Sequence, residues 1–123
     1  MATILVVDDE LMLCDLLRIE LSTFGHEVVT ASNGREGVAL FAHRKPDLTL
    51  LDLHMPDMNG IEVLTRIREL DPQASVIVLT GGGTDELENQ ARELGVHEFL
   101  RKGLSLAILV RALGKAMQSP GQA

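Results

Sequence analysis

The chain has 123 residues, 46% of them hydrophobic and 24% charged, with a formal net charge of −7. That is the composition of one globular domain with its own core; it excludes wholesale disorder, and the single cysteine excludes an intrachain disulfide. The excess of acid and the scarcity of aromatics, three Phe with no Tyr or Trp, argue against direct nucleic-acid binding, which draws on clustered cations and stacking platforms.

The first apolar run, Ile4-Leu5-Val6-Val7, stops at Asp8, so neither a signal peptide nor a membrane span starts there, and no later run reaches membrane length. With a free Cys14 and no export signal, a cytoplasmic location is expected. The run itself reads as a strand, after which Leu13, Cys14, Leu17, Leu21 and Phe24 recur at helical spacing until Gly25. His26–Ala31 is a second strand, and Asn33 caps a helix that reaches Lys45-Pro46. Leu48–Leu51 is a third strand, followed by the breaker-rich loop Met55-Pro56-Asp57-Met58-Asn59-Gly60 and a helix that ends before Asp71-Pro72. Ser75–Leu79 is a fourth strand, broken by Gly81-Gly82-Gly83. A helix over Thr84–Leu94 closed by Gly95, a fifth strand His97–Leu100 and a last helix Ser105–Met117 complete the chain. Residues 1–118 form the expected domain, with 119–123 as a flexible tail.

Near-continuously apolar strands alternating with helices predict a parallel α/β sheet covered on both faces. In such a sheet ligands bind at the carboxyl ends of the strands, so the residues that follow each apolar run carry the chemistry. These are Asp8-Asp9-Glu10, Asp52, Thr80 and Lys102. Three carboxylates at one edge repel one another unless a hard cation such as Mg²⁺ relieves them; for Asp8-Asp9-Glu10 alone, helix capping is an equal alternative. Asp52, at the end of an apolar strand, can act as a nucleophile towards phosphorus or simply start a turn. A hydroxyl, an ammonium and a divalent cation are what phosphoryl transfer needs.

The ordered set Asp8-Asp9, Asp52 within Leu-Asp-Leu-His-Met-Pro-Asp-Met-Asn-Gly, Leu79-Thr80-Gly81 and Phe99-Leu100-Arg101-Lys102 resembles the receiver domain of two-component response regulators, from Ile4 to about Met117. The resemblance implies a flavodoxin-like (βα)5 fold of strand order 2-1-3-4-5, an arrangement general accounts of the α/β fold illustrate with a receiver protein. It implies Asp52 as phosphoacceptor, served by a sensor histidine kinase or a His phosphotransfer protein. Asp8, Asp9, Asp52 and the His54 backbone carbonyl would bind Mg²⁺, with Mn²⁺ as the alternate ion. Lys102, Thr80 and Gly81 would bind the phosphoryl group, and Thr80 and Phe99 would form a switch that alters the α4-β5-α5 face. A downstream protein or an attached effector domain would read that face, with homodimerisation on phosphorylation one expected response. His54 and Gly82 occupy positions that tune loss of the phosphoryl group to water.

Two features depart from the family pattern. Gly103 follows Lys102 where Pro is usual, which predicts a trans connection, and the Gly triplet loosens the loop after Thr80. The last helix is apolar nearly all round, consistent either with an interface or with packing over neighbouring helices. Cys14 reads as a small core residue, and Leu11 and Met12 as packing residues or a docking edge. The expected function is therefore a signalling domain and not an enzyme. A receiver-like binding module that works unphosphorylated and a small Mg²⁺-dependent phosphohydrolase are the alternatives, the latter lacking any spare segment for a substrate cap.

Overall fold

Short runs of Val, Ile and Leu lose little as strands and bury both faces, which is what a sheet sandwiched by helices requires. The computed structural model describes residues 2–55, 57–81, 85–103 and 105–118. Its strands are β1 (Thr3–Val7), β2 (Glu27–Ala31), β3 (Leu48–Asp52), β4 (Val76–Thr80) and β5 (Glu98–Arg101). They alternate with α1 (Leu11–Ser22), α2 (Gly34–Arg44), α3 (Gly60–Leu70), α4 (Asp85–Glu93) and α5 (Leu106–Gln118). All pairings are parallel and the order is β2-β1-β3-β4-β5, as expected.

Alternation along the strands divides the core in two. Ile4, Val6, Leu48, Leu50, Ile77 and Leu79 face Leu17 and Leu21 of α1 and Leu109 and Leu113 of α5. Leu5, Val7, Leu51, Val76 and Val78 face Phe41 of α2, Leu64 and Ile67 of α3 and Ala91 of α4. Each fully buried leucine among them contributes about 1.5–3 kcal/mol. The register sets Val7 opposite Leu51, Asp52 opposite Leu79 and Thr80 opposite Arg101, so the acidic and basic strand ends finish at one edge.

Helix ends follow their caps. Asn33 accepts from the Glu36 N–H at 2.8 Å and Asn59 from the Glu62 N–H at 3.0 Å. Ser105 receives the Ile108 N–H at 3.3 Å, and Gly95 takes φ +82°, the left-handed geometry expected after α4. The capping alternative for Asp8-Asp9-Glu10 is not what forms: the N-cap of α1 is Glu10, whose side chain makes no capping bond. Phe24 also departs from expectation. α1 ends at Ser22, and Phe24 lies beyond it, 62% exposed, because the Thr23 hydroxyl and the Gly25 turn (φ +86°) carry the chain off the helix axis. The sheet-facing stripe of α5 is Leu109, Ala112, Leu113 and Ala116, all buried, while Ala107 and Ile108 in its first turns face outwards.

A contact that sequence reading did not suggest ties the loop after β3 to α2. Asp57 accepts from the backbone N–H groups of Gly34 (3.0 Å) and Arg35 (3.2 Å), capping that helix from outside. The Gly34 bond, first among several, holds the Asp57 carboxyl below its ordinary value of 3.8. A depressed carboxylate stabilises the fold above the unfolded value, and that contribution is lost as pH falls through the folded one. The stability gap between the wild type and Asp57→Asn should therefore shrink in urea titrations carried from neutral pH to below 3.8; a gap independent of pH would show that the charge contributes nothing.

Candidate functional site

The end of β1 delivers Asp8 and Asp9, and the end of β3 delivers Asp52. Asp8 is 2% and Asp52 1% exposed, whereas Asp9 is open to solvent. Burial of two carboxylates side by side has to be compensated, and the chain supplies local donors for each. The Glu10 N–H donates to Asp8 Oδ1 (2.9 Å) and the His54 N–H to Asp52 Oδ1 (3.0 Å), which fixes both side chains at their strand ends. Leu53 and Met55 are buried beside Asp52, while the His54 side chain is exposed.

Lys102, just past β5, lies across the cluster. Its Nζ donates to Asp8 Oδ1 at 3.3 Å and Asp52 Oδ2 at 3.2 Å, and meets Glu10 Oε2 at 3.2 Å. Burial pulls the ammonium down, but the charges of Asp8 and Asp52 outweigh it and hold the lysine above its ordinary range. Glu10, which the sequence sets with Asp8 and Asp9 at the end of the first strand or as a cap of the helix that follows, is thus a third carboxylate on the lysine. The Lys102–Gly103 peptide is trans and Gly103 has φ +97°, so glycine supplies a turn that an L side chain there would strain. Gly81 lies against the lysine stem, where a Cβ would meet Lys102 Cδ at 3.6 Å.

The cluster also has room for more positive charge. Asp8 Oδ2 is buried with no hydrogen-bond partner, and burial, with the Asp52 charge adding to it, pushes the Asp8 carboxyl up to about 6. One carboxylate oxygen each of Asp8, Asp9 and Asp52 lie within 4.8 Å of one another. An all-oxygen donor set, one atom of it unpartnered, fits a hard divalent cation. The Thr80 side chain and Gly82 lie outside the described residues. Phe99, on β5, is half-buried on the α4 side of the sheet and is not part of the acidic cluster.

Other candidate features fall elsewhere. Burial raises the Cys14 thiol to about 11 and its Sγ–H points to the Asp8 carbonyl (3.4 Å), as suits an inert core residue. A cavity of about 430 Å³ lies between α1 and α5, beside Phe24 and Arg111, away from the carboxylates. No described helix is long and apolar enough to cross a membrane.

Comparison with known proteins agrees with this geometry. The profile of the response regulator receiver domain matches residues 4–114. The chemotaxis protein CheY of Thermotoga maritima is 34% identical over 91% of this chain and 94% of its own length. The phosphate regulon transcriptional regulatory protein PhoB of Pseudomonas aeruginosa is also 34% identical, over 97% of this chain but 53% of its own. The chain thus spans nearly all of one relative and about half of the other. Among solved structures, a CheY-like receiver domain from Methanospirillum hungatei superposes with a TM-score of 0.93 at 27% identity, covering 98% of this chain and 96% of that one. Receiver domains are signalling domains that typically use Mg²⁺, and an acidic cluster suited to that ion is present here. By its sequence profile, its strand order and its relatives, the chain belongs to the response regulator receiver domain family.

Proposed function

We propose that this domain accepts a phosphoryl group on Asp52 from a phosphohistidine of a sensor histidine kinase or His phosphotransfer protein, and changes its binding to a downstream protein in consequence. The observation that carries the reading is Asp52 itself: a carboxylate 1% exposed at a strand end, bonded to a backbone N–H and to the Lys102 ammonium, with two further aspartates beside it. A carboxylate oxygen attacks phosphorus, the P–N bond breaks, and its electron pair returns to the imidazole nitrogen. Asp8, Asp9 and Asp52 side chains with the His54 carbonyl would hold Mg²⁺, or Mn²⁺ in its place, which supplies charge neutralisation at the phosphoryl oxygens.

The chain's own groups do the rest. Lys102 moves with the charge, exchanging carboxylate partners for phosphoryl oxygens, and the Thr80 hydroxyl and Gly81 complete the pocket. Loss of the phosphoryl group to water is tuned from His54 and Gly82. Leu11 (65% exposed) and Met12 (77%), next to Asp9 and continued along α1 by Leu16 and Ile19, form the apolar edge on which the donor docks. The phosphoryl group biases the α4-β5-α5 face because it adds charge and acceptor oxygens that one arrangement of Thr80 and Phe99 contacts better.

Intact mass after incubation with acetyl phosphate tests this directly. A gain of one phosphoryl group in the wild type, dependent on Mg²⁺ and absent in Asp52→Asn, is expected. A folded wild-type protein that gains no mass points instead to a binding module that works unphosphorylated.

A further inference from the structure

Arg92, in the last turn of α4, lies over the Phe99 ring with its guanidinium carbon 4.6 Å from the ring centroid. The ring belongs to β5, opposite Val78, and packs with Leu87, Leu94 and Val96 against the α3–α4 side of the sheet. The base that carries Arg92 is itself anchored. Arg68 of α3 donates to the Leu94 carbonyl (2.6 Å) and to that of Gly95, and also to the Ala74 carbonyl (2.8 Å), so the C-terminal end of α4 is tied to α3 and to the loop before β4. Arg92 therefore covers the ring from a fixed support.

We infer that Arg92 is a positioning residue that clamps Phe99 in its α4-side orientation and thereby sets how readily the domain responds at Asp52. This rests on the proposed reading of Asp52 as phosphoacceptor and of Thr80 and Phe99 as a switch whose other arrangement the phosphoryl group favours. The physical argument is linkage: a contact present in one arrangement of the ring and absent in the other opposes any ligand that favours the other. A guanidinium over an aromatic face in a partly exposed site contributes about 0.5–1 kcal/mol, which at 1.4 kcal/mol per decade is a factor of about two to five. Arg92 is exposed, and the groups on the carboxylates among the described residues are the Glu10 and His54 N–H and the Lys102 ammonium, so its effect on that cluster passes through the ring.

Beryllofluoride, a phosphoryl mimic, with Mg²⁺ is the probe, its binding followed by ¹⁹F NMR on the wild type, Arg92→Gln, Phe99→Leu and the double variant. Arg92→Gln is expected to tighten beryllofluoride binding about two- to fivefold when Phe99 is present and not at all when it is combined with Phe99→Leu. Arg92→Lys, which keeps a cation, should fall between. Equal affinity for the wild type and Arg92→Gln, or an equal gain in both backgrounds, overturns the clamp while leaving the phosphoacceptor reading intact. A folded wild type that binds no beryllofluoride overturns the phosphoacceptor reading and the clamp with it.

Discussion

Gly60→Ala should be the most damaging single-methyl change in the domain, costing about 3 kcal/mol or more and lowering the melting temperature by roughly 10 °C or more. Gly60 opens α3 directly under the end of β3, and its N–H donates to the Leu53 carbonyl at 2.8 Å. A Cβ there would overlap the Leu53 Cα and approach the Asp52 carbonyl oxygen and Leu53 Cδ2 at 2.8 Å each. Two of these three atoms belong to backbone that cannot swing aside, so either α3 lifts from the sheet or the β3 terminus moves. The second outcome displaces Asp52, and phosphorylation by acetyl phosphate should then slow by more than the unfolded fraction explains. Gly114→Ala is the control. It adds the same methyl inside α5, where nothing lies within 4 Å, and should stabilise by about 0.5–1 kcal/mol through helix propensity alone. Thermal melts of both variants decide the matter: a Gly60→Ala protein that melts with the wild type would mean that the contact of α3 with β3 is not tight.

The contrast between those glycines marks what sequence could and could not show. Periodicity and breakers located all ten elements within a few residues, because apolar alternation and Asn, Gly and Pro act locally. The strand order came from family resemblance, since nothing local distinguishes a β1–β3 neighbour from a β1–β4 one. At the site, Asp8, Asp52 and Lys102 stand out because each polar residue ends or follows an apolar run; the register then brings them to one edge. What sequence left out depends on distances between segments far apart in the chain. Glu10 reads as a strand-end acid or a helix cap with no named partner until Lys102 is found 3.2 Å away, and Asp57 as a loop residue until the Gly34 N–H is found 3.0 Å from it. Phe24 failed for the opposite reason: it continues a helical spacing past a helix that has already stopped.

Lys102→Met should destabilise the metal-free protein by about 3–5 kcal/mol at slightly alkaline pH, the expected cost of leaving buried charge without its partner. The Lys102 ammonium pairs with both Asp8 and Asp52, at 3.3 and 3.2 Å. Without it the two buried carboxylates face each other, and proton uptake is the available relief. Asp8 is already raised to about 6, chiefly by burial, so in the wild type its contribution is full below the unfolded value of 3.8 and declines as pH rises through 6. The deficit of Lys102→Met should accordingly widen from acid towards alkaline pH in urea titrations with chelator, and millimolar Mg²⁺ should narrow it by binding the folded state alone. Asp8→Asn must move the other way. Removing one buried charge while Lys102 keeps Asp52 and Glu10 should raise metal-free stability by about 1–3 kcal/mol at alkaline pH, the upper figure following from a shift of 3.8 to 6 at 1.36 kcal/mol per unit. The same change should weaken the stabilisation that Mg²⁺ gives. Opposite signs for the two variants would mean that the carboxylate cluster is held in the fold against its own repulsion, with Lys102 as counter-ion until a divalent cation takes part. If Asp8→Asn instead destabilises the chelated protein at alkaline pH, Asp8 is a structural acceptor for the Glu10 N–H and Lys102, and the cluster carries no such strain.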